Sequence, residues 1–194
     1  LSHPNEGHDV FALDAADAIA GDTAPRRLST LNHDVLKRLA LPTCERIHFE
    51  NSDGVEVEGL AYLPETFDRG NPEPRGLICH IHGGPTAYNA PQFSAEYAHW
   101  VEKGYIVFNV NYRGSTSYGN EFSESIRGDW GPREADDILS GVDELLDRGW
   151  VDPDRLFISG FSQGGINTLY VVTRDDRFTA AAPEHGIYDL RSAY

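Results

Sequence analysis

Residues 155–165 read Arg155-Leu-Phe-Ile-Ser-Gly-Phe-Ser-Gln-Gly-Gly165, and they decide the fold. Arg155–Ser159 is a short apolar run that predicts a buried strand, and Gly164–Arg174 carries a helical pattern. Between them lies a G-x-S-x-G, Gly160-Phe-Ser-Gln-Gly164. A serine on a sharp strand-to-helix turn adopts a strained backbone and holds its hydroxyl above the sheet edge, with glycines on either side leaving room for the turn. Chance produces this pattern in about one chain in fifteen of this length. Its place between a strand and a helix therefore carries the argument, and marks Ser162 as a candidate nucleophile. The plain alternative is a Gly-rich connection whose serine caps the helix.

Working outward, strands and helices alternate. Glu45–Glu50 and Val55–Tyr62 alternate polar and apolar residues around Ser52-Asp-Gly54, a hairpin signature. Gly76–His82 and Tyr105–Asn111 are nearly continuous apolar strands, and Thr179–Pro183 begins another. Phe93–Lys103 has helical spacing and stops before Gly104; Pro132–Arg148 places Ile138, Val142 and Leu145 on one face. This alternation predicts βαβ units and a mostly parallel sheet, with the hairpin adding antiparallel strands at one edge. Residues 1–44 are different in kind. They hold two short strands, Asp9–Asp14 and Arg26–Thr30, around a small, acidic, turn-like stretch from Ala15 to Pro25, then a partly helical connection from Asn32 to Leu41. Such pieces are too small to bury a core alone.

The composition excludes several function classes. The 194 residues carry 31 acidic and 16 basic side chains, a net charge of −15, which repels nucleic-acid phosphate. No apolar run approaches the roughly eighteen residues needed to cross a bilayer. Cys44 and Cys79 are too few for a disulfide framework and lack zinc-site spacing. His80, His82 and His99 form no metal pattern with carboxylates, so neither metal nor cofactor is expected. The expected compartment is the cytoplasm.

His82-Gly-Gly-Pro85 follows a buried strand and is a candidate oxyanion loop. Acyl transfer places negative charge on an oxygen, and one backbone N–H aimed at it is worth roughly 3–4 kcal/mol in the barrier. The donors would be Gly84, with Gly83 the alternative, and Gln163 directly after the serine. The other option is a plain Gly-Pro turn. Tyr112 and Arg113 sit at a strand's carboxyl end, where α/β sheets place ligands. They receive no catalytic role, since packing of Tyr112 and pairing of Arg113 with an acid such as Asp129 explain them equally well. His185 is the only histidine after Ser162, and a loop or strand-end position is its default assignment. Asp175 and Asp176 lie at the far end of the helix, about 15 Å from the turn. Asp136 and Asp137, at a helix start, read as solvated acids that complement the helix dipole.

Taken in order, His82-Gly-Gly-Pro85, Asn111-Tyr-Arg-Gly-Ser115, Trp150-Val-Asp-Pro-Asp-Arg155 and Gly160-Phe-Ser-Gln-Gly-Gly165 resemble the prolyl oligopeptidase (S9) family of serine peptidases, in its acylaminoacyl-peptidase and dipeptidyl-aminopeptidase-like branch. The resemblance implies an α/β-hydrolase fold, incomplete here, preceded by a short all-β remnant of a β-propeller. On it, 1–44 are the propeller's end plus linker and 45–194 the first part of the catalytic domain. It further implies Ser162 as nucleophile, Gly84 and Gln163 amides as oxyanion donors, a short peptide as substrate, and a triad Asp and His outside these 194 residues. Gln163 and Ile166 stand where the family usually has tyrosine and an aromatic residue, but a backbone donor does not depend on the side chain. The chain by itself is expected to be inactive, and an open sheet edge is expected to favour self-association. A carboxylesterase-type hydrolase and a non-catalytic hydrolase-like domain are the competing readings.

Overall fold

A computed structural model of the chain describes residues 6–14, 24–84, 86–189 and 191. Most of the turn-like stretch from Ala15, together with Pro85, lies outside these. β1 (Phe11–Ala12) and β2 (Arg26–Arg27) form a separate two-stranded antiparallel sheet, and α1 (His33–Leu36) follows. Both strands are shorter than the alternation predicts. Val10 and Leu13 stay exposed, so no apolar contact extends the ladder.

The main sheet has six strands: β3 (Thr43–Glu50), β4 (Glu56–Leu63), β5 (Arg75–Ile81), β6 (Tyr105–Asn111), β7 (Val151–Phe161) and β8 (Ala180–Glu184). Their spatial order is β3-β4-β6-β5-β7-β8. β6, β5, β7 and β8 run parallel, and β4 pairs antiparallel with both β3 and β6. The β3–β4 hairpin is shaped by Asn51, whose Oδ1 accepts the amides of Asp53 (3.0 Å) and Val55 (2.9 Å). β7 begins four residues before the predicted strand. Its pairing with β5 jumps from Arg75↔Val151 to Leu77↔Leu156, so residues 152–155 bulge out and hide the start of the strand from a periodicity argument.

The helices lie on both faces of the sheet. α2 (Ala95–Glu102) covers one face, where Val101 packs with Leu60, Tyr62 and Val107. The other face takes the larger core. There α4 (Pro132–Asp147) buries Ile138, Val142 and Leu145, and α5 (Gln163–Val172) buries Val171, against Ile47, Ala61, Phe108 and Ile158. Fully burying such side chains is worth roughly 1.5–3 kcal/mol each. α3 (Asn120–Glu124) sits in the loop after β6. Adjacent residues on β4 and β6 feed opposite faces, the signature of strands covered on both sides. This is the expected α/β-hydrolase arrangement, with the hairpin at one edge and β8 at the other. Among the described residues no helix is long and apolar enough to cross a membrane.

Candidate active site

β7 passes into α5 through a single residue, Ser162, at φ 58° and ψ −116°. A positive φ at a non-glycine residue is strained, at a cost on the order of 1–3 kcal/mol, and persists only where the surroundings impose it. The neighbouring glycines show how they do. An ideal Cβ on Gly160 would lie 2.4 Å from Gly164 O, one on Gly164 would lie 2.1 Å from Ile81 O, and one on Gly165 would lie 2.4 Å from Glu184 O. Backbone therefore packs directly on backbone around the turn, and no other residue type fits. The Ser162 amide donates to Glu184 O at 2.9 Å, and Ser162 O accepts the Ile166 amide at 3.1 Å. The Ser162 side chain makes no capping bond to α5, so the capping alternative finds no support.

The His82–Gly84 loop lies alongside. A Cβ on Gly83 would sit 3.3 Å from Ser162 Cβ and 3.0 Å from Phe161 O. Gly84 is exposed at φ 146°, and the Gln163 backbone begins α5 on the other side of the serine. The Gln163 side chain is buried, with Nε2 3.5 Å from Glu134 Oε1. Glu134 in turn accepts the Gly131 amide at 2.9 Å, and burial pushes its carboxyl above the usual range. The His82 ring stacks on Tyr112, with centroids 4.5 Å apart. Its Nδ1 lies 2.6 Å from Gly83 O, which can only accept, and this assigns the ring proton to Nδ1. Burial holds the His82 imidazole below its ordinary range.

The other candidates fall elsewhere. His185 follows β8 at φ 53°, its ring 5.0 Å from that of Phe161. Among the described residues no imidazole is hydrogen-bonded to the Ser162 hydroxyl, and no cluster of His, Cys, Asp or Glu could hold a metal ion. Asp175 engages Arg177 at 2.9 Å. Two expectations are corrected. Asp137 is fully buried instead of solvated, receiving Asn51 Nδ2 at 2.6 Å, the Arg113 amide at 2.6 Å and Arg113 Nε at 2.9 Å. Arg113 pairs with Asp53, Asp136 and Asp137, and not with Asp129, because the end of β6 faces the second turn of α4. Asn111 and Ser115 receive no role from the sequence beyond the motif they share; the signal for Asn111 is a polar side chain closing a largely apolar strand, and Ser115 lies in the loop beyond it.

The chain is similar to known proteins in sequence and in fold. The prolyl oligopeptidase family model (Peptidase_S9) matches residues 91–194, more than half of the chain. The chain belongs to the prolyl oligopeptidase family. Among relatives in this family, the uncharacterized peptidase YuxL of Bacillus subtilis is 32% identical over 191 residues, covering 95% of this chain and 29% of its own length. Dipeptidyl-peptidase 5 of Porphyromonas gingivalis is 32% identical over 174 residues, covering 88% of this chain and 25% of its own length. The solved Pyrococcus horikoshii acylaminoacyl peptidase superposes with a TM-score of 0.82 at 28% identity, covering 96% of this chain and 29% of that one. The chain thus spans less than a third of the length of these prolyl oligopeptidase relatives.

Proposed function

We propose that this chain carries the nucleophile and the oxyanion-binding loop of a serine peptidase acting on short peptides. The observation that carries the reading is the strained Ser162 turn packed against Gly83. In the proposed reaction Ser162 Oγ attacks the carbonyl carbon of the scissile amide. The carbonyl oxygen becomes an oxyanion facing the amides of Gly84 and Gln163 while the hydroxyl proton passes to a base supplied by the longer parent. That proton goes to the amine as the C–N bond breaks, and water then hydrolyses the acyl-enzyme to the acid and free Ser162. The relatives named peptidases support the substrate class.

A serine hydroxyl without an adjacent base is a weak nucleophile, and no imidazole among the described residues is bonded to Ser162. The reading therefore includes a full-length parent in which further residues supply the acid and base. In that parent 1–44 end a propeller and 45–194 begin the catalytic domain. The 194 residues alone are expected to show no Ser162-dependent turnover.

The test is hydrolysis of aminoacyl and acyl-aminoacyl anilides by the full-length protein, with labelling of Ser162 by a fluorophosphonate. Ser162→Ala should abolish labelling and lower turnover by at least about a thousandfold. Turnover that survives the substitution overturns the assignment, and much faster cleavage of short acyl esters than of anilides moves it to an esterase.

A further inference from the structure

Gly83 and Gly84 have no side chains with which to hold themselves, and glycine is the least restrained backbone. An oxyanion donor is useful only when preorganised at its working position. Residues on either side of Pro85, His82, Ala87 and Asn89, are gripped instead by the segment that closes β6. The Tyr112 hydroxyl donates to His82 O at 3.0 Å. The one Ser115 hydroxyl proton is shared between two acceptors, donating to Tyr112 O at 2.6 Å with the unprotonated His82 Nε2 2.9 Å away. The Thr116 amide donates to Ala87 O at 3.0 Å. Asn111 completes the hold: its Oδ1 accepts the Asn89 amide at 2.7 Å and its Nδ2 donates to Asn89 O at 3.0 Å. These are the two bonds a neighbouring strand would make.

Asn111, Tyr112 and Ser115 are all fully buried. Burying polar groups is unfavourable unless each is bonded, and a satisfied buried network is rigid. The network is anchored well away from the loop. Asn111 Nδ2 also donates to the Tyr118 hydroxyl at 2.7 Å, which donates to Glu58 Oε1 on β4 at 2.7 Å, and Arg46 on β3 meets Glu58 Oε2 at 2.6 Å.

We propose that Asn111, Tyr112 and Ser115 are positioning residues that clamp residues 82–84 and 86–89 and so hold the Gly84 amide beside the Ser162 turn; the catalytic part of this role rests on the oxyanion assignment above. The test compares the full-length protein with Tyr112→Phe, Ser115→Ala and the double variant. Tyr112→Phe removes one oxygen and keeps the stacked ring, which separates positioning from folding. Amide hydrogen exchange across 82–84 and 86–89 should speed up roughly tenfold or more in the double variant, with β5 and β7 unchanged. In the same variant kcat for the anilide should fall roughly tenfold, a fraction of the 10²–10³ that follows outright loss of a donor, with KM within about twofold.

Unchanged exchange overturns the clamp. So does faster exchange with kcat unaltered, or a loss of kcat that comes only with loosening of the whole sheet. Failure of the unsubstituted protein to turn over counts against the Ser162 assignment instead. The exchange measurement needs no turnover, and it decides the clamp either way.

Discussion

Adding one methyl group at position 164 would place a carbon 2.1 Å from Ile81 O, backbone against backbone, with no flexible side chain to give way. Gly164→Ala should therefore cost about 3 kcal/mol or more in urea unfolding, the upper range for overpacking. Gly54→Ala is the control: its φ is +74° but nothing lies within 4 Å, so only the left-handed backbone penalty of about 1–2 kcal/mol is expected. Equal losses at the two sites would contradict the packing argument. Ser162 strains its backbone in the same turn, so Ser162→Gly should raise stability by about 1 kcal/mol while removing the hydroxyl. His80 and His82 supply the pH dependence. Burial holds both imidazoles below 6.5, Gly83 O opposing it at His82 and Glu96 and Glu184 opposing it at His80. Just below that pH the unfolded chain binds more protons than the folded one. The stability these groups contribute is thus present above about 6.5 and is lost as pH falls. The raised carboxyl of Glu134 acts in the opposite sense, so the check is the difference: between pH 7.5 and 5.5 the urea midpoint of His80→Gln and His82→Gln should fall less, or rise more, than that of the unsubstituted protein, and identical pH profiles would refute it.

Elements meet most tightly where the end of β6 faces the start of α4. There Asp137 has no exposed surface and is held by Arg113 and Asn51. Removing one partner of a buried ion pair strands the other charge, so Asp137→Ala should destabilise by about 3–5 kcal/mol, whereas Arg113→Met with Asp137→Leu should lose much less. Thermal melting of the three proteins checks this, and equal losses would show the pair to be unimportant. The same junction shows what a single sequence reveals. β6 was legible to the residue because Tyr105–Asn111 is a nearly continuous apolar run, and the turn at Ser162 was legible because two glycines, a strand and a helix converge on it. Asp137 was not, since an acid near the start of a helix looks the same whether solvent or a buried guanidinium faces it. Asn111 and Ser115 escaped for a related reason: their partners, Asn89 and His82, are about twenty to thirty residues away in sequence and become neighbours only once β5 and β6 pair.

At the scale of the whole molecule the sheet is unevenly finished. Among the described residues β8 pairs with β7 alone, and Ala180, Ala181 and Ala182 are exposed beside Trp100, Tyr105 and Phe157. Parallel strands are normally covered on both faces, and an open edge offers unpaired backbone groups to another chain. The net charge of −15 opposes such encounters at low salt. Screening shortens the reach of that repulsion to about 8 Å near 0.15 M salt. Sedimentation of the 194-residue chain should accordingly show self-association that increases from low to high NaCl, and a monomer at every salt concentration would count against an adhesive edge. The hydrogen bond from the Ser162 amide to Glu184 O gives this edge a second meaning. The outermost strand is also the peg to which the turn's own backbone is tied. A fluctuation that peels β8 away would let the reactive hydroxyl tilt, and whatever steadies that flank would sharpen the aim of the serine from outside the pocket.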